Sequence, residues 1–545
     1  MNRNARRLTL MLVVALLALF AGIITAEAAL APVEQAPVQK CADLATLALP
    51  NTTITLTEAT AAGTNVGGAA LPVDICRVAG VISPTWDSYI QFEVWLPASG
   101  WNGKFNGVGN GGLAGFINYA AMNDALDRGY ATASTDGGHV GGPPVPLGDA
   151  TWALNHPMKI VDFGYRAVHL TTVNAKAIVS AYYGAAPRYS YFTGCSGGGQ
   201  QGLAEAQRYP GDYNGVVSGA PAAYPTHMWP GELYPASINQ GPTPGTYILT
   251  EDKLPLVTQA AINACDALDG LKDGLITDPR TCNFDPATLQ CPAGQDLPTC
   301  LTPPQVDVVK KVYGGLKDPT TGSQFWYGYE PSSEIGWWGH VSEPFFIPIG
   351  YFKYMVYGDP NWDWHTYDFS LPATFNDLYA ASDFLSPSLE AMNPDLSAFR
   401  KAGGKMIMWH GWIDQNISPR NSIAYYESVK AATNGRYAWD ARNNEEVAVD
   451  ESVKGAMHHG QIEQYLRLFM VPGMQHCQGG PGTDTFDALG ALEKWVEKGV
   501  APKSIPAAHL TNGEVDLTRP LCPYPQVARY NGKGDPNDAA NFKCK

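Results

Sequence analysis

Gly194-Cys195-Ser196-Gly197-Gly198 stands between Tyr189-Ser-Tyr-Phe-Thr, which reads as a strand, and Gln200 to Tyr209, which reads as a helix. The pattern G-x-S-x-G in that setting forces a tight turn from strand to helix. Residues flanking the serine must be small, and the hydroxyl is pushed out at the N-terminus of the helix. Backbone N–H groups there face whatever the serine attacks. A tight glycine turn without chemistry is the alternative, but the strand before and the helix after favour Ser196 as a nucleophile. The same setting implies an α/β sheet, because strands and helical patterns alternate along the rest of the chain. Tyr89 to Leu96, Lys104 to Gly112, Ala131 to Thr135, Val216-Val217, Lys405 to Trp409 and Arg467 to Val471 read as strands. Val161 to Tyr183 and Ala488 to Lys498 read as helices.

A serine hydroxyl needs a base, and the base needs an acid to orient it. On a sheet of this kind the order is Ser, then Asp or Glu, then His, each just beyond a strand end. Asp414 and His476 occupy those places. The chain has 11 histidines, so the rivals must be weighed. His410 precedes the acid and breaks the order. His458 and His459 lie in a polar helical stretch and read as surface residues. His139, after Asp136-Gly-Gly, reads as structural. Charge developing on a carbonyl oxygen requires donors already in place. The N–H of Gly197 is one, and the loop Val108-Gly109-Asn110-Gly111-Gly112 is placed to supply a second.

The first residues carry Arg3, Arg6 and Arg7, then a Leu8–Ile24 apolar run, then Ala26-Glu-Ala28. This is the layout of a secretory signal peptide over residues 1–28, with an uncleaved anchor as the alternative. Ten cysteines agree with export to an oxidising compartment, periplasmic or extracellular. Nearness in sequence pairs Cys41 with Cys76, Cys265 with Cys282, Cys291 with Cys300, and Cys522 with Cys544. Cys195 and Cys477 remain. Were they bonded, Ser196 and His476 would be drawn together, since each adjoins one of them. Zinc binding is the alternative, and no Cys-x-x-Cys pair supports it. The net charge of −15 argues against a nucleic-acid partner. No later segment is long and apolar enough to span a bilayer.

Residues 223–392 break the α/β rhythm and read as an inserted lid. The core is then expected in two parts, 29–222 and 393–545, with 29 to about 88 an extension of short strands and turns. Within the insert, 16 of the 45 positions from Phe325 to Phe369 are aromatic. Such density suits either a cover over a flat aromatic ligand or the packing of the lid itself. Trp337, Trp338, Phe345 and Phe346 could do either. Cys265-Asp-Ala-Leu-Asp-Gly-Leu-Lys-Asp-Gly-Leu275 places Asp266, Asp269 and Asp273 in one turn-rich loop, a hard-oxygen set that suits calcium or is simply a solvated acidic turn. Its spacing is not that of an EF-hand.

Trp101-Asn-Gly-Lys-Phe, Ser134-Thr-Asp-Gly-Gly-His139, Gly194-Cys-Ser-Gly-Gly, His410-Gly-Trp-Ile-Asp414, Val471-Pro-Gly-Met-Gln-His-Cys477 and Arg519-Pro-Leu-Cys-Pro-Tyr-Pro together resemble the tannase and feruloyl esterase family of α/β-hydrolases. That family also contains bacterial terephthalate monoester hydrolases. The resemblance implies an α/β-hydrolase core with a large inserted lid. It implies a Ser196–Asp414–His476 triad, a Cys195–Cys477 bond, and Gly112 as the second oxyanion donor. It also implies a structural calcium ion in the lid, with the Leu271 and Leu275 carbonyls joining the three aspartates, and no organic cofactor. The terephthalate enzyme carries a phenylalanine three residues past its acid, where this chain has Ile417. The expectation is thus a secreted serine esterase acting on small aromatic esters, with no membrane association after the signal is cleaved. Terephthalate monoester hydrolysis, a peptidase on the same fold and a non-catalytic calcium-binding protein are the alternatives.

Overall fold

The computed structural model describes residues 36–141, 148–243, 245–433, 437–440, 445–448 and 462–545. The signal-peptide reading of 1–28 and the reading of His458 and His459 lie outside these residues. Nine strands form one sheet. They are β1 (Thr52–Thr60), β2 (Ile75–Ile82), β3 (Ile90–Pro97), β4 (Lys104–Val108), β5 (Ala131–Thr135), β6 (Tyr189–Cys195), β7 (Gly215–Gly219), β8 (Lys405–Gly411) and β9 (Leu466–Val471). Their order is β1-β2-β3-β5-β4-β6-β7-β8-β9. From β5 to β9 all neighbours are parallel, while β1, β2 and β3 add an antiparallel edge. The fold is the expected α/β-hydrolase.

The extension expected before residue 88 is instead part of this sheet. β1 and β2 are strands of nine and eight residues paired antiparallel along their length, with one bulge between Ile54 and Leu56. The sequence obscures this because β1 is Thr-Thr-Ile-Thr-Leu-Thr-Glu-Ala-Thr, a threonine-rich edge whose outer side stays wet. Cys41–Cys76 ties the preceding turn to β2.

Alternation of side chains explains how the sheet is buried on both faces. Met406 and Met408 of β8 join one apolar cluster, and Ile407 and Trp409 join another. Leu466, Leu468 and Met470 of β9 divide from Phe469 and Val471 in the same way. On the first face lie α2 (Ala167–Tyr183), through Ile178 and Val179, and α3 (Gly197–Arg208), through Leu203 and Ala206. On the second lies α9 (Ala488–Lys498), through Leu489, Leu492 and Trp495. The helix after β4, α1 (Tyr119–Asp127), joins that side through Ala125.

Residues 220–404 connect β7 to β8. They carry α4 (Pro225–Ile238), α5 (Leu254–Cys265), α6 (Pro303–Gly314) and α7 (Pro372–Leu389). Leu254, Val257, Val309, Val312, Trp337 and Val341 form a separate apolar cluster in this region. Two short disulfide loops, Cys265–Cys282 and Cys291–Cys300, staple a stretch otherwise made of turns. Of the four aromatic residues left open by the sequence, Trp337 belongs to that cluster, with its indole N–H donated to Ser333 Oγ at 3.0 Å. Trp338 is 66% exposed. Only Phe345 and Phe346 reach the cavity described below. Helix α8 (Pro419–Thr433) lies between β8 and β9 in sequence, and beyond β9 Cys522–Cys544 closes the C-terminal strands. All ten cysteines are bonded. Protein unfolded without reductant should therefore titrate no free thiol; two or more thiols per chain would contradict this pairing.

Candidate active site

Strand register brings the functional segments to one edge. Cys195 of β6 lies beside Gly219 of β7, Gly219 beside Trp409 of β8, and Gly411 beside Val471 of β9. Each strand therefore ends at nearly the same height, and the turns that follow carry Ser196, Asp414 and His476. Ligand sites of parallel sheets form at this carboxyl edge.

Ser196 has φ +62° and ψ −123°, a backbone state that L-residues avoid at a cost of about 1–3 kcal/mol. Three hydrogen bonds hold it there. Its N–H donates to Gly219 O at 3.0 Å, and its carbonyl accepts the N–H groups of Gln200 and Ala222 at 3.0 Å each. The motif glycine Gly198 is a close-approach position: a Cβ would lie 2.8 Å from Asn110 O. The elbow is thereby packed directly on the loop Gly109–Gly112, whose Gly109 N–H donates to Thr193 O at 2.9 Å. Gly112 has φ +59°, which favours glycine, and its carbonyl approaches Gly197. Gly112 and Gly197 both line the cavity that Ser196 lines.

Several residues brace that loop. Asn110 donates its amide to Thr135 O at 2.9 Å, and Asn118 donates to Gly109 O at 2.7 Å. His139 is buried, stacked on Trp152 at 3.9 Å, with Nε2 2.6 Å from Leu113 O. Burial pushes its imidazole down to about 3, so it stays neutral. The structural reading of His139 fits this setting. The conspicuous Ser134–His139 segment is a support for the glycine loop.

Asp414 is fully buried. Its Oδ1 accepts the N–H groups of Asn416 and Ile417, both at 2.8 Å, and its Oδ2 lies 2.8 Å from His476 Nδ1. Burial by itself would raise this carboxyl. The neighbouring His476 and His410 outweigh burial and hold it well below the usual carboxylate range. His476 lines the same cavity as Ser196. The pair therefore meets at one cavity, and no direct hydrogen bond joins Ser196 to His476 among the described residues; such bonds often tighten only when substrate is present.

His410, set aside by its place before the acid, is part of the same network. Its Nε2 lies 3.1 Å from Asp414 Oδ2 and 3.0 Å from Ile417 O, while Nδ1 lies 2.7 Å from Ser422 Oγ. A bound N–H on Nε2 satisfies both acceptors, and Ser422 then donates to Nδ1. The chain-order rule speaks to the base and could not find this second imidazole, which fixes the acid from its other side.

Cys195 and Cys477 are bonded, with Cα atoms 6.0 Å apart and a sequence separation of 282. In the chain-entropy picture a loop of that length gives about 5 kcal/mol of stabilisation. Cys477 itself has φ +63°, so both sides of the catalytic-type pair sit on held, unfavourable backbone.

The acidic loop folds back on itself. Asp266 accepts the N–H groups of Asp273 and Gly274, Asp269 accepts Leu271 N–H, and Asp273 accepts Leu275 N–H and a 2.7 Å contact from Arg519 Nη2. The three carboxylates thus surround one turn, although they do not gather as the mutually close set formed by His169, Glu205 and Asp212 elsewhere among the described residues. The donor chemistry is all oxygen, and each carboxylate keeps lone pairs beyond these bonds, which fits a hard cation.

Around Ser196 the cavity has a volume of about 520 Å³. Phe116, Phe163, Met228, Trp229, Phe345 and Ile417 give it an apolar lining, and none of its described lining residues is Lys or Arg.

The sequence model described as tannase and feruloyl esterase matches residues 76–545. The chain belongs to the tannase and feruloyl esterase family. It is 40% identical to an uncharacterized esterase of Xanthomonas campestris, over 92% of this chain and 91% of that one. It is 34% identical to the mono(2-hydroxyethyl) terephthalate hydrolase of Piscinibacter sakaiensis, over 89% and 87%. The crystal structure of feruloyl esterase B from Aspergillus oryzae superposes with a TM-score of 0.82 at 30% identity, covering 93% of this chain and 99% of that one. The protein is accordingly a carboxylic ester hydrolase of this family. Replacing His410 with Ala should lower kcat about tenfold or more while moving KM little, because it holds Asp414 and lines no part of the cavity. A changed KM with unaltered kcat would contradict that positioning role.

Proposed function

We propose that this is an exported serine esterase that cleaves esters of small aromatic, phenolic-type acids through an acyl-enzyme. The observation that carries the reading is the junction of Ser196, His476, Gly112 and Gly197 on one apolar cavity. In the first half-reaction, His476 Nε2 takes the hydroxyl proton as Ser196 Oγ attacks the ester carbon. The Gly112 and Gly197 N–H groups stabilise the oxyanion. Asp414 holds the ring with Nε2 toward the serine and stabilises the imidazolium that forms. Collapse breaks the acyl–oxygen bond, and His476 returns the proton to the leaving alcohol. In the second half-reaction water attacks the acyl-enzyme by the same route, releasing the acid and restoring Ser196.

The aromatic lining supports a planar acyl group. A terephthalate monoester is disfavoured by Ile417 and by a lining without cations to meet a second carboxylate. An amide substrate would demand stronger protonation of its leaving group, and His476 is the only histidine of the described lining. Ten cysteines in five bonds support export to an oxidising compartment. No helix among the described residues is long and apolar enough to cross a membrane.

Calcium belongs to the same proposal as a structural ion of the lid. Asp266, Asp269 and Asp273 would hold it, with the carbonyls of Leu271 and Leu275. Bound there, it would supply charge neutralisation and rigidity to the loop and no step of the chemistry.

Two outcomes test these statements. Ser196→Ala should lower hydrolysis of methyl ferulate or methyl gallate by more than about 10³-fold with the melting temperature kept, and retained turnover would refute the nucleophile. Chelation with EGTA should lower the melting temperature by several degrees (about 1 kcal/mol or more) and calcium should restore it; an unchanged melting curve would remove the ion from the account.

A further inference from the structure

α4 presents Pro225, Met228, Trp229 and Glu232 to the cavity around Ser196. Their spacing of three, four and seven residues places them on one helix face. Glu232 is the only acidic side chain of the described lining. It is 2% exposed, and its Oε2 is buried without a hydrogen-bond partner.

The amide side chains around this cavity are occupied. Asn110 and Asn118 brace the glycine loop. Gln200 donates to Gly164 O and Leu389 O. The Asn416 amide oxygen lies 2.9 Å from His340 Nε2. A carboxyl left unpartnered in such a place costs roughly 1–3 kcal/mol, and the structure around it offers no compensating bond.

We propose that Glu232 is the specificity-determining residue for the acyl group, forming a hydrogen bond with an uncharged hydroxyl on the aromatic ring and excluding a ring that carries a carboxylate. This deepens the esterase reading and rests on it. The chemistry follows from the surroundings. Burial, and secondarily the charge of Asp414, push the Glu232 carboxyl well above the usual carboxylate range. That shift favours its neutral form, which offers one O–H donor and one carbonyl acceptor. A phenolic hydroxyl presents the complementary acceptor and donor. A ring carboxylate would have to enter an apolar cavity whose described lining holds no Lys or Arg, within the field of Asp414.

A purely structural role is the competing account. Tyr329 Oη is also buried without a partner, and its titration feels Glu232, so the two groups could be linked through a water. Such a link would stabilise the lid without reading the substrate.

The two accounts separate in a ratio. kcat/KM is measured for methyl 4-hydroxybenzoate and methyl benzoate, and for methyl 4-hydroxycinnamate and methyl cinnamate. The better-hydrolysed pair gives the hydroxyl preference, and monomethyl terephthalate is compared with methyl benzoate. In the wild type we expect a hydroxyl preference of at least about tenfold and a penalty of at least about tenfold for the carboxylate. Glu232→Gln, which keeps a donor and an acceptor, should retain the preference within about threefold. Glu232→Met should bring it close to one. Equal ratios in wild type and Glu232→Met, or a wild-type preference below about twofold, would overturn the proposal. The wild-type ratios need no variant, so they decide even if Glu232→Met fails to fold. Turnover of none of these esters would instead overturn the serine-esterase reading beneath it.

Discussion

The sulfur–sulfur bond between Cys195 and Cys477 is the constraint on which the site depends. Parallel register alone aligns the ends of β6, β8 and β9, but the turns beyond them could splay. The bond fixes the residue before Ser196 to the residue after His476, with Cα atoms 6.0 Å apart. Ser196 and Cys477 both occupy positive-φ backbone, so the two segments are held where neither would rest by itself. A reducing compartment would release this tether.

Electrostatics at the site divide into opposing environments a short way apart. Asp414 is buried yet kept ionised, because two imidazoles and two backbone N–H groups converge on it. Glu232 is buried with no such donors and is driven toward its neutral form. Two carboxyl groups of the same region are thus shifted in opposite directions by their surroundings. One can stabilise a cation that forms during the reaction; the other can donate a hydrogen bond to a neutral substrate.

Legibility in the sequence followed how local each constraint is. The elbow was readable because a tight strand-to-helix turn demands small residues around Ser196, a steric demand carried by five consecutive residues. Asp414 and His476 were readable because strand order limits where an acid and a base can fall. His410 was missed for the same reason: the order rule asks which histidine follows the acid, and says nothing of one that supports it from behind. Glu232 lies mid-helix beside prolines, and only the three-dimensional cavity distinguishes it from a surface glutamate. β1 was underestimated because its threonines report a wet edge and not a buried strand. The aromatic run was ambiguous for a physical reason: rings that fill a lid core and rings that line a cavity have identical composition. Trp337 went to the core, and Phe345 and Phe346 to the cavity.

Reaction with a fluorophosphonate tests the central claim most directly, because the probe reports an activated serine without any substrate preference. Peptide mapping of the oxidised protein should find one adduct per chain, on Ser196. The Cys195→Ser/Cys477→Ser double variant, still folded, should label at least about tenfold more slowly, since the base is no longer tethered to the nucleophile. Equal labelling rates in the two proteins, or an adduct on a different serine, would contradict the account.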